Sequence, residues 1–181
     1  RVDDEGDDLH GSVRCFLVEQ DRPGYTGTVI AGKASLRGIH QAHVALRDVR
    51  VPADAVLEGT RSFRDASPVL YATRSGVAWS ALGHATACYE AAVTYAGERI
   101  QFGRPLAATQ LFQKKLADME TEIALGLQAS LRIGRLMDEG RFAPEMISIV
   151  KRNNVGKALD IARMSRDMHG GNGIQAEYHV M

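Results

Sequence analysis

The chain has 181 residues, 45% of them hydrophobic and 24% charged, ordinary proportions for a globular domain. Twenty-two basic residues balance 22 acidic ones, which argues against a nucleic-acid binder working through a bulk positive field. No run of about 18 apolar residues is present, so no membrane-spanning helix is expected, and Cys15 and Cys88 are too far apart in sequence to suggest metal spacing or a disulfide framework.

The organisation divides near residue 60, and residues 1–58 read as strands and turns. Val13, Cys15 and Leu17 alternate with Ser12, Arg14, Phe16 and Val18 as a mostly buried strand. Asp21-Arg22-Pro23-Gly24 is a turn signal. Val44 and Leu46 start a second alternation, which slips phase before Val49 and Val51. That slip predicts a bulge near Arg47-Asp48, with Pro52 ending the strand. So short a stretch cannot close a sandwich or barrel alone, and further strands are expected.

From about Ser67 the pattern becomes helical. Ser75 to Arg99 is Ala-rich and free of proline, with Val77, Ala81, Ala85, Cys88, Ala92 and Tyr95 on one face. A second helix is predicted from about Thr109 to Glu139, its inner stripe formed by Phe112, Leu116, Met119, Ile123, Leu127, Leu131 and Gly134. A third starts at Pro144, a favoured first-turn residue. Ile147, Val150, Asn154, Ala158, Ile161, Ser165 and Met168 line one side of it, and Gly170 stops it. Another element begins near Gln175. Helices of roughly 25 residues, near 37 Å each, joined by short loops imply an antiparallel bundle. The predicted class is α+β: a partial antiparallel β domain over residues 1–60, then a helical bundle over 61–181 that is cut before its last helices. Both chain ends read as cuts through a longer protein, because the chain starts at Arg1 in an acidic stretch and stops at Met181 with no helix-stop signal.

Two segments carry candidate chemistry. The first is Arg99-Ile-Gln-Phe-Gly-Arg-Pro-Leu-Ala-Ala-Thr-Gln110. Arg99, at the end of one long helix, can cap free carbonyls and meet the negative dipole end, or it can hold an anion. Gly103 and Pro105 force a turn, and the start of the next helix offers free amides to an anion. Gln110 adds an amide donor and acceptor. The second segment is His169-Gly-Gly-Asn-Gly173. Its three glycines permit positive φ and let a flat ligand approach the backbone. A plain helix stop is the alternative, although one glycine would suffice for it.

Arg99-Ile-Gln-Phe-Gly103, Thr109-Gln110 and Gly170-Gly-Asn-Gly173 together resemble the acyl-CoA dehydrogenase pattern. The stretch from Glu145 to Val180, with Lys151-Arg-Asn-Asn154, Arg166-Asp-Met168 and Glu177-Tyr-His-Val180, is similar to the glutaryl-CoA dehydrogenase branch. So are Gln113-Lys-Lys-Leu-Ala-Asp-Met119, Ser35-Leu-Arg37 and Val49-Arg-Val-Pro52. The resemblance implies the latter part of a middle β domain and most of a C-terminal helical domain, in a homotetramer that binds FAD between subunits. By the same resemblance Arg99 meets the FAD diphosphate of a neighbouring subunit and Gln110 contacts FAD. Asp167, Met168, His169, Gly170 and Gly171 pack on FAD through backbone. Arg74 lies by the acyl-CoA site, with Tyr71 standing where the family usually has Asp or Asn.

The implied reaction removes a proton next to an acyl thioester carbonyl and passes a hydride from the β carbon to the flavin. Electron-transfer flavoprotein is the implied acceptor. The implied base is a Glu in a Glu-Gly motif beyond Met181, so no catalytic residue is assigned within the chain, and Glu177 is not given the role. Glutaryl-CoA or another short-chain acyl-CoA is the implied substrate. The compartment is cytoplasmic if the source is bacterial and the mitochondrial matrix if eukaryotic. An acyl-CoA oxidase of the same fold, or a non-catalytic helical interaction module, are the alternatives.

The remaining features point to structure. Asp3-Asp4-Glu5 with Asp7-Asp8 lacks Ca²⁺-ligand spacing and reads as a solvated loop. His40 and His43, three apart in a strand-like region, point to opposite faces and make no metal pair. Cys15 is expected to be packed, and Trp79 to lie in a core or interface.

Overall fold

In the computed structural model, residues 14–181 are described. The acidic segment Asp3–Asp8 and the residues Ser12 and Val13 lie outside them. The chain forms two compact units, Arg1–Pro68 and Val69–Met181, and each is described by itself.

Among its described residues the first unit contains one antiparallel ribbon. Strand β1 (Tyr25–Val29) pairs with β2 (Ala42–Leu46), Gly27 opposite Val44. β1 is absent from the sequence reading, because Tyr25-Thr-Gly-Thr-Val29 has β-branched residues but no apolar alternation. β2 is shorter than expected: it ends at Leu46, and Asp48 takes a left-handed conformation with φ 51°. The anticipated phase slip at Arg47-Asp48 is thus the end of the strand rather than a bulge within it. The turn signal at Asp21–Gly24 is realised, since the Tyr25 amide donates to the Arg22 carbonyl at 3.0 Å and Gly24 has φ +88°. A Cβ on Gly24 would stand 2.0 Å from the Arg47 carbonyl oxygen, so only glycine lets the ribbon start this close to its partner.

Of the strand expected across Ser12–Val18, the residues described, from Arg14 on, form an isolated bridge between Phe16 and Val56. Leu17 donates to the Ala55 carbonyl and Leu57 to the Cys15 carbonyl, at 2.8 and 2.9 Å. Phe16 and Leu17 are exposed in this unit and Cys15 is half-buried, so the apolar run does not enclose itself.

The second unit is built on three long helices: α1 (Ser67–Glu98, whose first two residues belong to the other unit), α2 (Gln110–Asp138) and α3 (Pro144–Met168). Between α1 and α2 a small hairpin pairs β3 (Ile100–Gln101) with β4 (Arg104–Pro105). Its two-residue tip, Phe102-Gly103, has φ of 53° and 77°, the signature of a type I′ turn. Pro144 opens α3 at the first helical turn, where its missing N–H costs nothing.

The helices alternate in direction, and polar bonds fix their alignment. Asn154 of α3, 1% exposed, donates to the Ser130 hydroxyl of α2 at 2.9 Å and to the Ala78 carbonyl of α1 at 3.4 Å. Ser165 of α3 donates to the Cys88 carbonyl of α1 at 2.8 Å. Their apolar core is Ala85, Ala92, Ala96, Leu106, Met119, Ile123, Ile161 and Met168.

The inner face expected for α3 is the one observed, with Ile147, Asn154, Ile161, Ser165 and Met168 buried. In α2 the expected stripe holds through Met119 and Ile123 and then diverges. The buried positions continue as Gly126, Ser130, Ile133 and Leu136, while Leu127 and Leu131 are each 39% exposed. The cause is a close approach at Gly126: a Cβ there would lie 2.6 Å from Leu82 Cδ2 and 3.0 Å from Asn154 Oδ1. In α1 the buried residues are Ala78, Ala81, Leu82, Ala85, Ala92 and Ala96, whereas Val77 and Trp79 are both 43% exposed. Trp79 is therefore not a core residue of this unit.

Candidate functional site

Three helix termini meet at one end of the bundle. The end of α1 brings Tyr95 from its last turn and Arg99 just beyond it, the first turn of α2 brings Phe112, and the end of α3 brings Asp167, Met168 and His169. Together with Gln101, Leu106 and the Gly170-Gly171-Asn172 corner, these residues line an open cleft of about 380 Å³.

The corner uses its three glycines for three purposes. Gly170, with φ +56°, takes the left-handed conformation that ends α3. Gly173 sits where a Cβ would be 2.2 Å from the Arg166 carbonyl oxygen, so the backbone folds back on the helix end only because no side chain intervenes. Gly171 has nothing within 4 Å of a Cβ and leaves its stretch of backbone bare on the cleft side. The two sequence-level alternatives, helix stop and open backbone, are thus both realised, at different glycines.

Aromatic rings hold this corner. His169, 3% exposed, stacks on Tyr95 with ring centroids 4.3 Å apart and planes at 25°. Tyr178 meets both rings edge-on, at 5.6 and 5.7 Å. The Nδ1 of His169 lies 2.7 Å from the Ser165 carbonyl oxygen, an acceptor, which assigns the proton to Nδ1. Asn172 donates from Nδ2 to the Tyr95 hydroxyl at 3.1 Å. The packing of Tyr95, His169 and Tyr178 on one another is not readable from the sequence, where Tyr95 belongs only to the inner stripe of α1 and the other two to separate motifs.

Charge is distributed unevenly around the cleft. The Arg99 side chain is exposed and has no carboxylate or carbonyl partner among the described residues. Asp167, by contrast, is ion-paired with Lys115, which reaches it from α2. The hairpin closes against the same end, with the Leu106 amide donating to the Arg99 carbonyl at 3.0 Å. Phe102, at its tip, is 99% exposed.

Of the residues singled out in the sequence, Arg99, Asp167, Met168, His169, Gly170 and Gly171 come together in the cleft. Gln110 opens α2 and is exposed, but it is not among the cleft residues. The α2 start is also less open to an anion than expected, since the amides of Phe112 and Gln113 both donate to the Thr109 carbonyl, at 3.1 Å. Tyr71 and Arg74 lie toward the other end of α1, about 36 and about 32 Å along the helix axis from Tyr95 at 1.5 Å per residue. There Tyr71 meets Phe142 edge-on at 6.3 Å. Among the described residues no cluster of His, Cys, Asp and Glu could hold a metal ion, and no helix is long and apolar enough to cross a membrane.

The family described as "Acyl-CoA dehydrogenase, C-terminal domain" matches residues 57–181. A relative in Bacillus subtilis (strain 168), "Probable acyl-CoA dehydrogenase YngJ", is 36% identical over 169 residues, which are 93% of this chain and 44% of that protein. A solved structure of glutaryl-CoA dehydrogenase from Mycobacterium smegmatis superposes with a TM-score of 0.89 at 42% identity, over 92% of this chain and 43% of that one. Another glutaryl-CoA dehydrogenase structure from that organism, in complex with FADH2, gives 0.89 at 38% identity, with 92% and 43% covered. The chain thus spans under half the length of the relatives it matches. With the Arg99 hairpin, the Gly-Gly-Asn-Gly corner and the three-helix arrangement all in one match, the chain belongs to the acyl-CoA dehydrogenase family.

Proposed function

We propose that the protein works as an FAD-dependent acyl-CoA dehydrogenase and that the cleft at the Arg99 end of the bundle takes part of the flavin nucleotide. One observation carries this reading: an exposed guanidinium without an acidic partner faces the same cleft as a bare glycine backbone. The donor set suits such a ligand. Arg99 supplies a planar charged fork for phosphate, Gly170 and Gly171 supply unobstructed backbone, and Tyr95 and Phe112 supply apolar surface. When bound, FAD supplies the hydride acceptor.

The chain's own residues then divide the work. Arg99 holds a phosphate by a charge-assisted bond. Asp167, Met168, His169, Gly170 and Gly171 present backbone, and the Tyr95–His169–Tyr178 stack keeps that corner in place. Gln110 contributes from the first turn of α2. Tyr71 and Arg74, at the far end of α1, belong to the acyl-CoA side. A Glu beyond Met181 removes the α proton of the thioester.

The substrate we infer is glutaryl-CoA or another short-chain acyl-CoA, and the electron acceptor is electron-transfer flavoprotein. The working assembly is a homotetramer, in the cytoplasm of a bacterium or the mitochondrial matrix of a eukaryote. Residues 1–60 supply part of the middle β domain, and 61–181 part of the C-terminal bundle. Expression of the complete reading frame tests the reading: it should copurify with yellow FAD and reduce a dye acceptor with glutaryl-CoA in the absence of O₂. A colourless protein that takes up no added FAD sinks it.

A further inference from the structure

The cleft assigned to an anionic cofactor contains an anion of its own. Asp167 lines it together with Arg99, yet an unpaired carboxylate there would repel a phosphate group and compete for the guanidinium. Lys115 answers that charge. It is not one of the cleft residues; it reaches across from α2 and pairs with the Asp167 carboxylate. The lysine is the more sheltered partner, with 25% of its side chain exposed against 67% for the aspartate. Exposed pairs of this kind contribute little to stability by themselves. Their weight rises when a ligand covers them and removes the water that screens them.

We propose that Lys115 is a positioning residue for the anionic cofactor. By holding and neutralising Asp167, it keeps the carboxylate off Arg99 and leaves the guanidinium free to take a phosphate. The net charge of the Arg99–Asp167–Lys115 group is then +1, where Arg99 and Asp167 alone would sum to zero. No role in proton or hydride transfer is implied, and the effect is on binding. This inference rests on the FAD reading above.

The test measures the FAD dissociation constant of the protein from the complete reading frame, by flavin fluorescence on reconstitution of the apoprotein. Wild type, Lys115→Met, Asp167→Asn and the double variant are compared at low and high salt. Lys115→Met should weaken binding about tenfold, because it strands a carboxylate next to the bound anion. Asp167→Asn keeps the backbone that residue 167 presents to the cofactor and loses only the side-chain charge, so it should bind at least as tightly as wild type, and the double variant should return to within about threefold of it.

Thermal denaturation of each apoprotein separates a loss of binding from a loss of folding. Should Lys115→Met not fold, Asp167→Asn still decides: tighter or equal binding with a steeper salt dependence supports the proposal, and weaker binding overturns it. A double variant as weak as Lys115→Met also overturns it, since Lys115 would then act on the ligand directly. If wild type binds FAD and Lys115→Met binds it equally well, this proposal falls while the cofactor reading stands. If wild type binds none, both fall.

Discussion

The carbonyl oxygen of Arg166 lies where a side chain on residue 173 would have to stand: a Cβ built on Gly173 comes within 2.2 Å of it. Backbone cannot give way as a flexible side chain can, so Gly173→Ala must displace either the last turn of α3 or the corner itself. Overpacking of this kind costs about 1–3 kcal/mol. Gly171→Ala, whose Cβ meets nothing within 4 Å, should leave folding stability within about 0.5 kcal/mol of wild type. Urea denaturation of the two variants checks the contrast, and equal losses would show that the corner does not pack as described.

Asn154 is the joint of the three helices. It is 1% exposed and bonded to Ser130 and to the Ala78 carbonyl. Asn154→Ala leaves buried polar groups without their partner and opens a space beside Gly126, so a loss of about 1–3 kcal/mol is expected from the hydrogen bonds alone. Ser130→Ala should cost less by itself. The double variant should lose less than the sum of the two single losses, because both remove one shared bond. Strict additivity in chemical denaturation would refute the coupling.

The pattern each helix carries decides which face its sequence reveals. α3 keeps its charged residues off the buried line, with Glu145, Arg152, Asp160, Arg163 and Arg166 exposed beside Ile149 and Leu159, so its spacing selects the right face, including the buried polar residues Asn154 and Ser165. α1 has only Arg74, Glu90 and Glu98 as Asp, Glu, Lys or Arg residues over its whole length. When apolar or small residues surround a helix, spacing cannot choose among faces, and the spacing puts Val77 inside although it is exposed. In α2 the true inner line runs through Gly126 and Ser130, residues that no hydrophobic count selects. The cleft was partly legible: Arg99 and the glycine corner were readable as local signals. The Lys115–Asp167 pair and the Tyr95–His169 stack join residues more than fifty positions apart, and only tertiary structure brings them together.

The Lys157–Glu122 pair predicts the alkaline behaviour of the bundle. The Glu122 carboxylate accepts from Lys157 at 2.8 Å. That hydrogen bond, then the charge of Glu122, raise the lysine above its ordinary value of 10.5 against a small opposing effect of burial, with Asp160 adding to the rise. A raised lysine stabilises the fold fully below the unfolded-state value, and that contribution disappears as pH rises through the folded-state value. Glu122→Gln should therefore lower Tm at pH 8 more than at a pH well above 10.5. Both groups are accessible to water, so the difference should be small. A Tm deficit that grows with alkalinity would contradict the assigned sign.

Cys88 should be a slow thiol. Burial pushes it above the ordinary thiol value of 9.0, and only the thiolate is the nucleophile. Alkylation by iodoacetamide near pH 8, followed by mass spectrometry, should therefore label Cys88 of the native protein more slowly than Cys88 of the urea-unfolded protein. Equal rates would mean that the α1 face carrying Cys88 opens readily.

The strongest functional prediction concerns Arg99. Its guanidinium lines the cleft and has no acidic partner among the described residues, so removing it should strand no buried carboxylate and leave folding nearly unchanged. Arg99→Ala should instead weaken FAD retention by about 1.5–3 kcal/mol, the worth of a hydrogen bond to a charged group, which is roughly a 10- to 150-fold rise in dissociation constant. Arg99→Lys should recover only part of the loss, because an ammonium keeps the charge but not the planar fork. Both variants can be read by flavin release during dialysis, with circular dichroism confirming the fold. If Arg99→Ala holds FAD as tightly as wild type, the nucleotide phosphates lie elsewhere, and the cleft loses its assigned role whatever the family.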